Sequence, residues 1–161
     1  MERPDGSAGI YGVVEKPDAA LVIAAERGGF WLVEQFRHPL GRRSWEFVQG
    51  TWPSGGGGTA EELARAELAE ETGLRAGDMR LLGRIDIAPG LTDQQTDVWL
   101  AGGLTPGPTA REDTEADMRQ QFVPEAELRA MVRDGRFTDA PSLAALSLLL
   151  LDRQRPSARE E

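Results

Sequence analysis

The chain has 161 residues, no cysteine, 40% hydrophobic residues and a formal net charge of −9. That length holds one domain with a sizeable core and is short for two, while the lack of cysteine excludes disulfides and thiolate metal sites. The acidic balance argues against broad binding to nucleic acid or to an anionic membrane, both of which need a cationic surface.

Residues 1–9 are polar and contain Gly, Pro and Ser, so they are expected to be a flexible tail. They lack the basic start and apolar stretch of a secretion signal, and no run approaches 18 apolar residues, which makes the cytoplasm the expected compartment. Short apolar runs predict strands at 10–14 (IYGVV), 20–25 (ALVIAA) and 30–36 (FWLVEQF), with the RGG at 27–29 as a hairpin turn. A helical pattern covers 60–72, preceded by the glycine run 55–58. Further strands are expected at 80–87 and 95–101, with a weaker one at 119–123. Helices at 124–134 and 140–152, each with a proline in or near its first turn, complete the pattern, and 153–161 reads as a second flexible tail. Strands, helix, strands, then helices predict a single α+β or layered α/β domain over residues 10–152.

The chemistry concentrates in the helix at 60–72. At about 100° per residue, Glu67, Glu70 and Glu71 project within about a 100° sector that one turn earlier holds Ala60, Leu63 and Ala64. Glu61, Glu62, Arg65 and Thr72 are placed on the opposite, solvated side, where Glu61 and Arg65 make an ordinary i, i+4 pair. Three carboxylates on a packed face destabilise it unless a cation compensates. Hard divalent ions such as Mg²⁺ are the natural compensation, since they take carboxylate oxygens and also bind substrate phosphates. Glu67 and Glu71, at i and i+4, can reach one metal cluster together. The preceding loop lets backbone approach a ligand closely, and a carbonyl at Gln49 or Gly50 can supply another metal oxygen.

The stretch Ala66-Glu67-Leu68-Ala69-Glu70-Glu71-Thr72-Gly73-Leu74 resembles the end of a Nudix box, in which three acids, a glycine and two apolar positions stand at fixed spacing. Two features depart from the family pattern. Ala66 stands where the family has an arginine, and the neighbouring Arg65 points to the outer face. The loop from Gly50 is also two residues longer, and the box's first glutamate falls on glycine. Outside the box, VEQFRHP at 33–39, WEFVQG at 45–50, IAPGLTDQQTDVWLA at 87–101 and DGRFTDAPSLAALSLLLL at 134–151 resemble the ADP-ribose pyrophosphatase branch, with Pro89 sixteen residues after Gly73.

The resemblance implies an α/β/α sandwich with a mixed central sheet flanked by helices. It also implies metal-dependent hydrolysis of a pyrophosphate bond, with ADP-ribose cleaved to AMP and ribose 5-phosphate as the expected reaction. Mg²⁺, with Mn²⁺ as a substitute, is the implied cofactor, held by Glu67, Glu71 and Glu70 with Gln49 and Gly50. In similar enzymes a glutamate on a later loop is the general base, which nominates Glu115 and then Glu112 here. Arg37 is the candidate phosphate contact, because a guanidinium binds phosphate bidentately. Trp45 and Phe47 are candidates for stacking on a base, and Pro89 and Gly90 for contact with the substrate. The family implies a homodimer. Three alternatives stay open: a GDP-sugar, dinucleoside polyphosphate or RNA 5′ end as substrate; weak turnover; or a nucleotide-binding module without catalysis.

Overall fold

The structure, a computed structural model, describes residues 1–53, 56–111 and 115–154. Strands β1 (Ala19–Glu26) and β2 (Gly29–Arg37) form the expected hairpin, turned at Arg27 and Gly28, both with positive φ. A short 3-10 turn at His38–Leu40 reverses the chain into β3 (Arg42–Glu46), which pairs antiparallel with β2 and is followed after one residue by β4 (Val48–Thr51). At that point the chain changes neighbours, and β4 pairs with the first half of β1. Helix α1 (Ala60–Thr72) follows, then β5 (Leu74–Arg75), β6 (Asp78–Asp86), β7 (Gln95–Gly102) and β8 (Thr105–Pro106). The chain ends with β9 (Arg119–Pro124), α2 (Glu125–Arg133) and α3 (Ala140–Arg153).

The main sheet is mixed: β1 runs parallel to β7 and antiparallel to β2 and β4, while β9 closes on the far side of β2. Alternation along β1 explains the layering. Ala20, Val22 and Ala24 join Leu63, Ala64 and Leu68 of α1 in one core, whereas Leu21 and Ile23 join Leu128 and Met131 of α2 and Ala145 and Leu149 of α3 in the other. The result is the anticipated sandwich, with helices on both faces of a mixed sheet.

Helix α1 starts and stops where its sequence says. Thr59 accepts a hydrogen bond from the Glu62 amide and Glu62 reaches back to the Thr59 amide, a reciprocal capping box. Gly73 ends the helix at φ 70°, a left-handed conformation in which a β-carbon would also overlap the Gly107 carbonyl.

Three expectations need correction. Residues 10–14 form no strand: Ile10 is 99% exposed, and Tyr11, Val13 and Val14 are also exposed, because this apolar stretch finds no strand to pair with. Residues 42–51 form two strands where none was expected. Thr72 lies on the buried side of α1, where its hydroxyl donates to the Leu68 carbonyl (2.5 Å) and accepts from the Leu74 amide. In the last turn Leu68, Glu71 and Thr72 are all buried while Glu70 is exposed, a spread that a fixed angular step along the helix does not reveal. Residues 1–9 are exposed and closed into a small turn by Met1 and Gly9.

Candidate active site

The change of neighbours between β3 and β4 puts polar side chains at the mouth of the sandwich. Glu46 ends β3 with only 1% of its surface exposed. Its carboxylate accepts from Arg37 Nε at 2.9 and 3.1 Å, from Arg37 Nη2, and from Gln49 Nε2 at 2.9 Å. Gln49 Nε2 also reaches Asp139 Oδ2 at 3.4 Å. Asp139 caps α3 through the Ser142 amide, and Ser142 Oγ in turn accepts from the Phe47 amide. Burial raises the Asp139 carboxyl above its ordinary range, partly opposed by its bonds to Ser142.

Opposite this network stands the acidic side of α1. Gly50 of β4 and Glu67 approach so closely that a β-carbon on Gly50 would overlap the Glu67 carboxylate. Glu71 is buried, and neither of its carboxylate oxygens has a hydrogen-bond partner among the described residues. Burial first, then the charges of Glu115 and Glu67, push its carboxyl well above the usual range; Arg37 pulls weakly the other way. The charge of Glu115 is thus felt at Glu71 although the two lie on different elements.

These groups share a cleft of about 950 Å³, lined by Arg37, Glu46, Gln49, Gly50, Glu67, Glu70, Glu115 and Asp139. Trp52, Leu63 and Ala66 add apolar wall, and Lys16 and Gln94 add polar groups. Among the described residues no three acidic or histidine side chains already stand at metal-ligand spacing. A buried carboxylate whose oxygens lack donors, beside two further acids and a close-set glycine backbone, nevertheless fits a hard cation.

The structure brings most of the expected residues to this cleft. Glu67, Glu70, Gln49, Gly50, Arg37 and Glu115 line it, with Glu71 buried behind. Glu112 lies outside the described residues. Phe47 is a correction: it is fully buried, edge-on to Phe30 and Phe137, and has no face left for a base. Trp45 packs half-buried on the same core and does not line the cleft. Pro89 lines a separate recess of about 410 Å³ with Tyr11 and Val13, and Gly90 accepts from the Tyr11 hydroxyl at 2.8 Å; neither lines the cleft.

Residues that the sequence reading passed over are Glu46, Asp139 and Trp52. Asp139 carried a signal, an acidic N-cap just before Ala-Pro-Ser. Glu46 and Trp52 carried none beyond lying in or next to a motif already noted.

Residues 15–146 match the family model of the NUDIX domain. The chain is 34% identical over 148 residues to an ADP-ribose pyrophosphatase of Mycobacterium tuberculosis, covering 91% of this chain and 71% of that protein. It is 34% identical over 106 residues to an ADP-ribose pyrophosphatase of Bacillus subtilis, covering 65% of this chain and 56% of that one. A crystal structure of an ADP compounds hydrolase superposes with a TM-score of 0.78 at 22% identity, over 96% of this chain and 85% of that one. The capped helix bearing Glu67, Glu70 and Glu71, its sandwich and the span of the family match agree: this chain belongs to the Nudix family.

Proposed function

We propose that this Nudix pyrophosphohydrolase cleaves ADP-ribose to AMP and ribose 5-phosphate with Mg²⁺ or Mn²⁺. The observation that carries the reading is Glu71, a buried carboxylate whose oxygens are unpartnered among the described residues, within reach of the charges of Glu67 and Glu115 and behind a cleft large enough for a dinucleotide-sized ligand. The pyrophosphatase relatives from M. tuberculosis and B. subtilis support the choice of substrate.

Glu67, Glu70 and Glu71 would hold the cations, with the backbone of Gly50 beside Glu67. When bound, such ions neutralise phosphate oxygens and lower the pKa of water. The chain's own groups do the rest. Glu115 accepts a proton from the attacking water, the water oxygen bonds to one phosphorus, and the bond from that phosphorus to the bridging oxygen breaks. Each product leaves with one phosphate. Arg37, fixed by Glu46, faces the phosphates, and Trp52 offers the cleft its aromatic wall for the adenine.

The test is product analysis with ADP-ribose, GDP-mannose, diadenosine polyphosphate and NADH, with and without each metal, for wild type and Glu115→Gln. Metal-dependent release of AMP and ribose 5-phosphate is expected, with kcat reduced by about 100- to 10,000-fold in the variant, the usual weight of a general base. Retained nucleotide binding without turnover of any substrate would replace this reading by a binding module, with Ala66 as the cause.

We further assign the protein to the cytoplasm and to a homodimer. No described helix is long and apolar enough to cross a membrane. The exposed strip of Ile10, Tyr11, Val13, Val14 and Leu91 favours a second copy as its cover. Sedimentation at micromolar concentration is expected to show dimers, and a monomer there would remove the assignment.

A further inference from the structure

We propose that Arg111 is a positioning residue that sets the loop bearing Glu115 against the helix bearing Glu67, Glu70 and Glu71; this rests on the reading of Glu115 as general base. Arg111 Nε donates to the Glu71 carbonyl at 2.7 Å, Nη1 donates to the Met118 carbonyl at 2.5 Å, and Nη2 reaches Gln120 Oε1 at 3.4 Å. One rigid fork therefore ties the C-terminal end of α1 to the chain just after the turn that carries Glu115. The neighbouring backbone adds to the tie, since the Ala110 amide donates to the Glu70 carbonyl and the Met118 amide to the Glu115 carbonyl.

The turn itself is held separately. Arg43 donates to Asp117 Oδ2 and to the Asp117 carbonyl while pairing with Glu34, which fastens the turn to β3 and β2. Arg43 does not touch α1. Among the described residues the Arg111 side chain, beside the backbone bond from Ala110, joins the two elements that carry the proposed base and the proposed metal-holding acids. The carbonyl it binds is one of the last four of α1, which lack helical partners. The guanidinium thus satisfies a helix end and spaces a loop in a single contact set.

A lysine at this position keeps the charge but cannot reach three acceptors at once. Arg111→Lys is therefore expected to fold and to lower kcat by about 10-fold, with KM within about twofold, as displacement of a base by a fraction of an ångström does. The decisive measurement repeats the substitution in a Glu115→Gln background. Arg111→Lys is expected to have no further effect on kcat there, because its whole contribution passes through Glu115. An equal fold-loss in both backgrounds, or unchanged kcat in the single variant, overturns the proposal. If Glu115→Gln alone retains wild-type kcat, the general-base reading fails first and this inference falls with it. Arg111→Gln, with thermal melting measured alongside, gives a second variant: a lowered kcat at unchanged melting temperature supports positioning, and a lowered melting temperature at unchanged kcat refutes it.

Discussion

Glu71→Gln is expected to lower kcat by about 100- to 10,000-fold, the range for loss of one catalytic or metal-holding group, and to raise the melting temperature of the protein in EDTA. The two effects share one cause. Glu71 is buried with both oxygens unpartnered among the described residues and with Glu115 and Glu67 adding like charge. A neutral amide in the same place removes the buried charge and its repulsion by Glu115 and Glu67, and for a chain of this size each kcal/mol so gained shifts the melting temperature by about 2–4 °C. The sign with pH follows from the raised carboxyl. The folded state holds its proton to higher pH than the unfolded chain, so the wild type loses stability as pH rises from the ordinary glutamate range through the raised value. The advantage of Glu71→Gln is thus expected to be largest near neutral pH and to vanish near pH 4. Added Mg²⁺ should reverse the order by stabilising only the wild type. Melting curves across pH, with EDTA and with Mg²⁺, test all of this; a variant less stable than wild type in EDTA at pH 7 refutes it.

Arg37→Met carries the second large effect, and its sign is opposite. Glu46 is 1% exposed and keeps its charge company mainly through Arg37, whose guanidinium makes three contacts with its carboxylate. Burial most strongly opposes the charge on Arg37, but the bonds and charge of Glu46 together with the charges of Asp139 and Glu71 outweigh it and raise the arginine. Removing one partner of a buried pair costs about 3–5 kcal/mol, and solvent screening at the partly exposed Arg37 discounts the expected loss to about 2–3 kcal/mol. That corresponds to a melting temperature lower by about 4–12 °C. The double variant Arg37→Met, Glu46→Gln is expected to regain most of the stability, since no uncompensated charge remains and Gln49 keeps an acceptor. Activity is expected to stay depressed, with KM raised about 10-fold or more, the weight of a charge-assisted phosphate contact. If KM returns with stability, Arg37 serves only as the counter-ion of Glu46.

Much of this was legible in the chain. The helix expected at 60–72 is found to the residue, its acidic face and closing glycine being visible in the sequence and its Thr59 cap agreeing with them in the structure. The strands β1, β2, β6 and β7 announced themselves as apolar runs between turn residues. What stayed hidden was hidden for physical reasons. Strands β3 and β4 read RRSWE and VQGT, with polar residues where a half-buried strand has apolar ones, because Glu46 and Gln49 turn into the site and bond to each other there. Residues 10–14 have the composition of a strand but no neighbour to pair with. Trp45, Phe47 and Trp52 look equivalent in sequence, and only the packing separates the two on the α2–α3 core from Trp52, which lies against the α1 core and lines the cleft. Arg111 sits in an acidic stretch and is informative only through what it touches.

The one-residue break at Phe47, where the chain leaves β2 for β1, also sets the tolerance of the whole site to error in assembly. A slip of one residue in either ladder would turn Glu46 toward the core and present Phe47 to the cleft, since successive side chains face opposite ways. The two halves are pinned independently, the first by the short reversal at residues 38–41 and the second by the Phe47 amide held on Ser142. Ser142 belongs to α3, nearly a hundred positions downstream. The second half of this register is therefore completed only by α3, and a chain truncated before residue 140 would keep every acidic residue of the site and lose the contact that fixes where β4 begins.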